Sequence, residues 1–435
     1  MTARDAAATD DIALYGSDSE VRAVVWASAI GTVIEWYDFA LYGAVSALVI
    51  SRLFFPNVSP LVGTLAAFAT FAVGFFARPL GGFVVGHYGD KVGRRPALIL
   101  TVVLMGGSTV LMGLLPTYNT LGIWAPILLV LARLCQGFGA GAELAGAICF
   151  IADHTPYRKR AFLTSIPNAC TALGMVLALG VFTLMRTFLD EGAFLSWGWR
   201  VPFLVSVVIL GVAVYIRQRL HEAPSYEKAK AKITARLPLV QVLHERGRDA
   251  FLGFLSVTGH NANAYLLNAF ALSYVVNTLH FSAQVALVSL LTAATIGFFT
   301  TPLFGMLADR IGRKPVFIFG AVFNALFVFP LFFLLGTGNT GLILLAFTMG
   351  YGIGFGATSG GQGAFLAELF DARYRYTGIA LVREMNGVLV AGPTPFIATA
   401  LVAAAAGSYW MVAIYIIVCQ ILTIIGVAGA HASRT

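Results

Sequence analysis

Apolar runs of about 20 residues succeed one another along nearly the whole of this 435-residue chain. About 20 residues is the length a helix needs to cross about 30 Å of hydrocarbon. The runs lie near 22–50, 62–86, 97–115, 123–152, 161–186 and 199–217, then near 250–278, 283–307, 315–336, 340–368, 377–404 and 408–430. A single water-soluble core cannot absorb them. Hydrophobic residues make up 58% of the chain and charged residues only 11%, against about 25% charged in soluble domains. In lipid every backbone N–H and C=O must be satisfied internally, which leaves helices and closed barrels. Barrel strands alternate apolar and polar residues in segments of about ten, a pattern these runs lack. The expected fold is an all-α integral membrane protein of twelve transmembrane helices.

A net charge of +8 points to nucleic acid only when it forms one basic patch, so its placement decides. With residues 1–20 inside the cell, the inside loops hold 19 Lys and Arg: Lys91, Arg94, Arg95, Arg158, Lys159, Arg160, Arg217, Arg219, Lys228, Lys230, Lys232, Arg236, Arg246, Arg248, Arg310, Arg313, Lys314, Arg373 and Arg375. The outside loops hold three, Arg52, Arg186 and Arg200. The positive-inside rule then places both termini in the cytoplasm, and the basic balance requires no nucleic acid partner. Residues 1–20 are polar and lack the apolar core of a signal peptide, so they read as a cytoplasmic tail, with the first helix as its own insertion signal. The long polar connection 218–249 reads as a cytoplasmic linker, its stretch YEKAKAKITAR (226–236) as a short basic surface helix, and 431–435 as a second tail. Cys135, Cys149, Cys170 and Cys419 all fall inside apolar runs without metal-ligand or disulfide spacing. Nucleotide-binding loops, nucleophile elbows and metal clusters are missing from the sequence, so no cofactor, no metal and no enzymatic activity are expected.

The chain resembles itself at a fixed spacing. GHYGDKVGRRP (86–96) recurs as GMLADRIGRKP (305–315), and GFGA (137–140) as GFGA (354–357). Both copies fall on the same side of the membrane, which predicts two parallel repeats of six helices, 21–217 and 250–430. Alternating-access transporters use this arrangement, rocking one half against the other around a midplane site. In the repeated loop, Gly86 permits close helix contact and Gly93 and Gly312 a tight turn. Asp90 and Asp309 can accept hydrogen bonds from Arg94 and Arg313, or sit at a helix N-terminus where an anion is favoured. Together with Arg95 these residues read as a charged latch that holds one conformation.

Ionisable groups inside a bilayer cost a few kcal/mol or more unless paired or wet, so each is a functional candidate. Here they are Glu35 and Asp38 in the first helix, Arg78 in the second, Arg133 and Glu143 in the fourth, and Arg383 and Glu384 in the eleventh. Glu35 and Asp38 are three apart and share a helix face, which suits a proton-carrying pair or a fixed anchor to another helix. Glu143 follows Gln136 by seven residues on nearly the same face and joins the proton-coupling candidates. Arg133, with Gln136 as a further substrate-binding candidate, either binds a substrate carboxylate or is neutralised by an acid of the first helix until substrate displaces it. Arg383 with Asn386 is a second anion-binding candidate, the alternative being an ion pair with Glu384 or Glu368. Tyr37 is a candidate for lining the path.

The loop pair GDKVGRRP and ADRIGRKP resembles the signature of the major facilitator superfamily. Within it the first half is similar to the metabolite:H⁺ symporter family, through GTVIEWYDF (31–39), RPLGG (78–82), RLCQGFGAGAE (133–143) and WGWRVPF (197–203), with YTG (376–378) in the second half. Asp153 stands where the family more often has glutamate, and Asp371 follows Phe370 where it usually has proline. The resemblance implies uptake of an organic acid or a zwitterion, driven by a proton gradient, in the bacterial inner membrane. The expected activity is symport of a small organic acid such as a dicarboxylate, a shikimate-like acid or an aromatic acid. The expected partners are that substrate, protons and the lipid bilayer, and the chain is expected to work as a monomer. The rival within the same architecture is a symporter of a zwitterionic osmolyte, proline or betaine; a drug/H⁺ antiporter and a signalling receptor are the more distant readings.

Overall fold

The structure is a computed structural model that describes residues 18–92, 94–141, 148–149, 151–152, 155, 157–219, 238–371 and 374–430. Every long regular element among them is helical. We number the membrane helices α1 to α12. In the first half they are α1 (Asp18–Val45, continued by Ser46–Ile50 and Ser51–Phe54), α2 (Pro60–Val92), α3 (Arg94–Leu114), α4 (Trp124–Ala140), α5 (Arg160–Phe188) and α6 (Val201–Arg219). The second half repeats the series. It contains α7 (Gly247–Tyr265, continued to Thr278), α8 (Ala283–Ile311), α9 (Arg313–Gly336), α10 (Thr340–Met349, Gly350–Phe355 and Gly356–Leu369), α11 (Arg375–Asn386, Gly387–Ala391 and Thr394–Ala404) and α12 (Trp410–Gly429). Eight of the described helical stretches are long and apolar enough to span a bilayer, and three more are shorter but apolar. The remaining one, α7, carries His260, Asn261, Asn263 and Asn268. Its polarity reflects its position, because His260, Asn263 and Asn268 are buried in protein.

The two halves pack alike. In the first, α1 lies on α5, α2 on α4, and α3 on both α4 and α6; in the second, α7 lies on α11, α8 on α10, and α9 on both α10 and α12. This is the geometry of a parallel repeat, so the expected all-α architecture of two six-helix units stands. The halves meet along α5–α8, α5–α10, α2–α11 and α1–α7. Facing outward, Leu80, Leu131, Val208, Phe299, Leu326 and Phe333 are exposed, an apolar perimeter suited to lipid chains.

Helix ends differ from expectation by a few residues. The helix α7 begins at Gly247 rather than near 250, preceded by a short helix Pro238–Glu245 whose Val242 is buried. The expected surface helix at 226–236 lies outside the described residues. Four membrane helices contain π-helical turns, at Ser46–Ile50, Leu266–Phe270, Tyr274–Thr278, Gly350–Phe355 and Gly387–Ala391. Such turns widen the helix and collect at functional sites; here they fall on α1, α7, α10 and α11, which meet between the halves.

Candidate functional site

Close backbone contact between α2 and α4 builds the floor of the site. A Cβ on Gly137 would overlap the Gly74 carbonyl, one on Gly141 the Arg78 carbonyl, and one on Gly81 the Phe138 carbonyl. Glycines on both helices therefore bring the backbones together, as small residues do in membranes. At Gly74 the space opened is taken by a guanidinium: a Cβ there would lie 2.9 Å from Arg133 Nη2.

Arg133 is fully buried. It donates to the Gln136 side chain and to the Phe71 carbonyl at 3.0 Å. Its Cζ stands 3.9 Å from the Tyr42 ring centroid and 5.3–5.4 Å from those of Phe39 and Phe71. Gln136 in turn donates to Thr109 at 2.6 Å. Arg133 thus makes no ion pair with a described carboxylate; a neutral amide, a carbonyl and aromatic faces hold it, the last by cation–π attraction.

The two acids of α1 part company. Glu35 pairs with Arg78, which also reaches Glu384 of α11 at 3.2 Å. Asp38 accepts from Ser206 of α6 at 3.4 Å, with Arg133, Thr109 and Gln136 close by. Its Oδ2 has no hydrogen bond of normal geometry. Tyr37 is buried and donates to the Pro202 carbonyl at 2.7 Å, fastening α1 to α6.

On the second half, Arg383 makes no ion pair or hydrogen bond to a described residue, although Glu384, Glu35, Arg78 and Tyr265 lie within electrostatic reach. Asn386 is enclosed. It donates to the Phe254 carbonyl at 3.1 Å and to Thr258 at 2.9 Å, and accepts from Asn261 at 2.7 Å, so it ties α11 to α7. His260 Nδ1 is 2.8 Å from Thr358 Oγ1 of α10. Tyr265 stacks on Trp36 across the halves, with ring centroids 6.0 Å apart.

On the face carrying the basic loops, described residues join the two halves. Asp309 accepts from the backbone N–H groups of Ala161 and Phe162 at 3.0 and 2.9 Å. These are the first-turn donors of α5, where a helix dipole favours an anion. Arg313 pairs with Asp309 at 3.2 Å and with Glu368 at 3.1 Å, and stacks 3.9 Å from the Tyr157 ring centroid. Gly312 has φ +104°, a conformation that favours glycine. In the first copy, Gly93 and the side chains at Gly86, Asp90, Arg94 and Arg95 lie outside what the structure describes, as does Glu143. At the opposite face a cavity of about 740 Å³ opens between the halves, lined by Arg52, Phe55, Tyr274, Asn277 and Thr399 among others.

The family model for the Major Facilitator Superfamily matches residues 28–393. The chain belongs to the major facilitator superfamily. Among major facilitators it is 39% identical over 403 residues to the shikimate transporter of Escherichia coli, with 92% of each chain covered. It is 35% identical over 396 residues to the proline/betaine transporter of that species, covering 88% of this chain and 78% of the other. A solved D-xylose-proton symporter has a TM-score of 0.72 at 20% identity, over 92% of this chain and 96% of the other; that likeness speaks to the fold. The chain is therefore a membrane transporter and not an enzyme.

In this major facilitator, sequence reasoning missed Phe39, Phe71 and Phe75 in the aromatic bed beneath the arginines. It named Arg78 and Glu384 as intramembrane charges but did not pair them with each other, offering Glu384 to Arg383 instead. Thr109 and Ser206 gave no signal, since hydroxyls occur throughout membrane helices.

Proposed function

We propose that the protein imports a small organic acid together with protons across the bacterial inner membrane by alternating access. The basic face and both termini lie in the cytoplasm, the halves are residues 21–217 and 250–430, and a single chain suffices. The observation that carries the reading is the charge count around the central site. Arg78, Arg133 and Arg383 face Glu35, Asp38 and Glu384. Among the described residues, with all three acids ionised, this cluster is neutral. One proton on Asp38 leaves a single positive charge, which one substrate carboxylate completes. An uncompensated charge is expensive in a low-dielectric interior, so proton and anion are favoured together.

The roles follow from the partners. Asp38 can take a proton without breaking an ion pair, whereas protonating Glu35 would break its pair with Arg78. Arg133, held by neutral groups, and Arg383, without an ion pair among the described residues, are the anion anchors. Gln136 orients Arg133, Asn386 fixes α11 so that Arg383 is presented, and Tyr37 holds α1. Glu143 belongs to the same proton route. The Asp309, Gly312 and Arg313 latch, with its first-half copy Gly86, Asp90, Gly93, Arg94 and Arg95, keeps the cytoplasmic side closed while the cavity faces outward.

A second reading is symport of a zwitterion such as proline or a betaine. The aromatic faces of Phe39, Tyr42 and Phe71, now covered by guanidinium, also suit an ammonium group, and a 35% identical relative carries a proline/betaine name.

Uptake into proteoliposomes with an imposed inside-alkaline gradient tests the proposal. Labelled shikimate, α-ketoglutarate, citrate, an aromatic acid, proline and betaine are compared with and without a protonophore. Accumulation of one acid, abolished by the protonophore, is the expected result; betaine or proline uptake selects the second reading. The Asp38→Asn protein should exchange substrate yet fail to concentrate it, and retained concentration would refute the role given to Asp38.

A further inference from the structure

We propose that Arg78 and Glu384 form a bolt across the α2–α11 seam, which holds the basic face shut and must part for it to open. Arg78 lies 18 residues from the start of α2 at Pro60, and Glu384 nine residues from the start of α11 at Arg375. At 1.5 Å per residue, the pair sits between the basic face and the level reached from the opposite cavity. One guanidinium holds two carboxylates there: Glu35 from its own half, and Glu384 from the other half at 3.2 Å. The side chains of Arg78 and Glu384 are 12% and 16% exposed, so the pair is largely desolvated.

This asymmetry makes the bolt releasable. When the halves rock apart, Arg78 keeps Glu35, which travels with it, and its charge stays compensated. Only Glu384 loses a partner. A lone inter-half pair would strand two buried charges, a far larger barrier. The seam is also built to slide. The Phe75 ring fits between Gly387 and Gly392, where a Cβ would lie 3.3 and 2.9 Å from it, at either end of the π-helical turn Gly387–Ala391 of α11. Arg78 Cζ rests 5.4 Å from the same ring centroid, so the bolt, the aromatic knob and the widened turn form one contact. The pseudo-symmetric α5–α8 seam is closed differently, by Gly305 against Ser165 and the Ala161 carbonyl and by Asp309 on backbone N–H groups.

The test reads accessibility, so it requires neither a substrate nor a proton gradient and stands apart from the proton-symport reading. Thr164 is fully buried where α5 meets Gly363 of α10 near the basic face. A Thr164→Cys reporter, in protein whose four native cysteines are replaced, is labelled with a maleimide in nanodiscs. A parallel protein keeps only Cys419, buried in α12. Glu384→Gln should speed labelling of the Thr164→Cys reporter about tenfold, within the usual range of coupling between states, and leave Cys419 labelling unchanged. Arg78→Gln should act in the same direction, and the double substitution should add nothing to Arg78→Gln alone, since both remove one pair. An unchanged rate at the reporter, equal acceleration at Cys419, or additive effects in the double variant would each overturn the bolt.

Discussion

Arg133 illustrates what a single side chain must satisfy inside a bilayer. Its planar guanidinium uses directed donors to Gln136 and the Phe71 carbonyl while its face lies on Tyr42. Lysine offers a compact, strongly hydrated charge that cannot reproduce the fork or the stacking. Charge-assisted hydrogen bonds contribute about 1.5–3 kcal/mol each. Arg133→Lys should therefore lower initial uptake roughly 10- to 100-fold at matched protein density in proteoliposomes, and near-normal uptake would remove Arg133 from the anion site. The same scale separates Glu35 from Asp38. Their spacing of three placed both on one helix face, yet one meets Arg78 of α2 and the other Ser206 of α6. Sequence spacing gives the shared stripe; which neighbour each oxygen reaches depends on helices far away in the chain.

At the scale of the element, glycine pattern and helix contact correspond. The GFGAG run of α4 reads in the sequence as a close-contact surface, and in the structure Gly137 and Gly141 lie against carbonyls of α2. Overpacking a tight contact costs about 1–3 kcal/mol, so Gly137→Ala should lower the unfolding temperature in detergent by several degrees. Gly107, in α3, has nothing within 4 Å of its would-be Cβ, and Gly107→Ala should leave that temperature nearly unchanged. Equal stability of the two variants would mean that α2 and α4 do not need their close approach. The π-helical turns were not legible in the sequence. They depend on how each helix is loaded by its neighbours, and only at Gly387–Ala391, just before Gly392 and Pro393, did residue types hint at a weakened helix.

For the whole molecule, the repeat makes two states of one packing available, and the charged groups at the basic face bias the choice between them. Asp309 joins its own half to the N-terminus of α5 in the other. Asp309→Asn keeps the size but loses the ion pair with Arg313 and one acceptor. Uptake should fall about tenfold, the scale of one charge-assisted interaction, with the unfolding temperature within a few degrees of the unaltered protein. Uptake at the normal rate would show that the latch does not set the cycle.

The sequence by itself determined the number of helices, their grouping in two parallel repeats, and which helix carries each described intramembrane charge. It could do so because helix length in lipid is set by hydrocarbon thickness, and position along a helix advances by a fixed rise per residue. Only the tertiary structure decided the partners. Arg78 joins Glu35 to Glu384, residues 349 apart in the chain. Asn386 turns into α7 and Arg383 is left without an ion pair among the described residues. Those outcomes turn on helix rotation and on backbone approach at glycine contacts. Both are fixed by packing between segments hundreds of residues apart, and no local pattern encodes them.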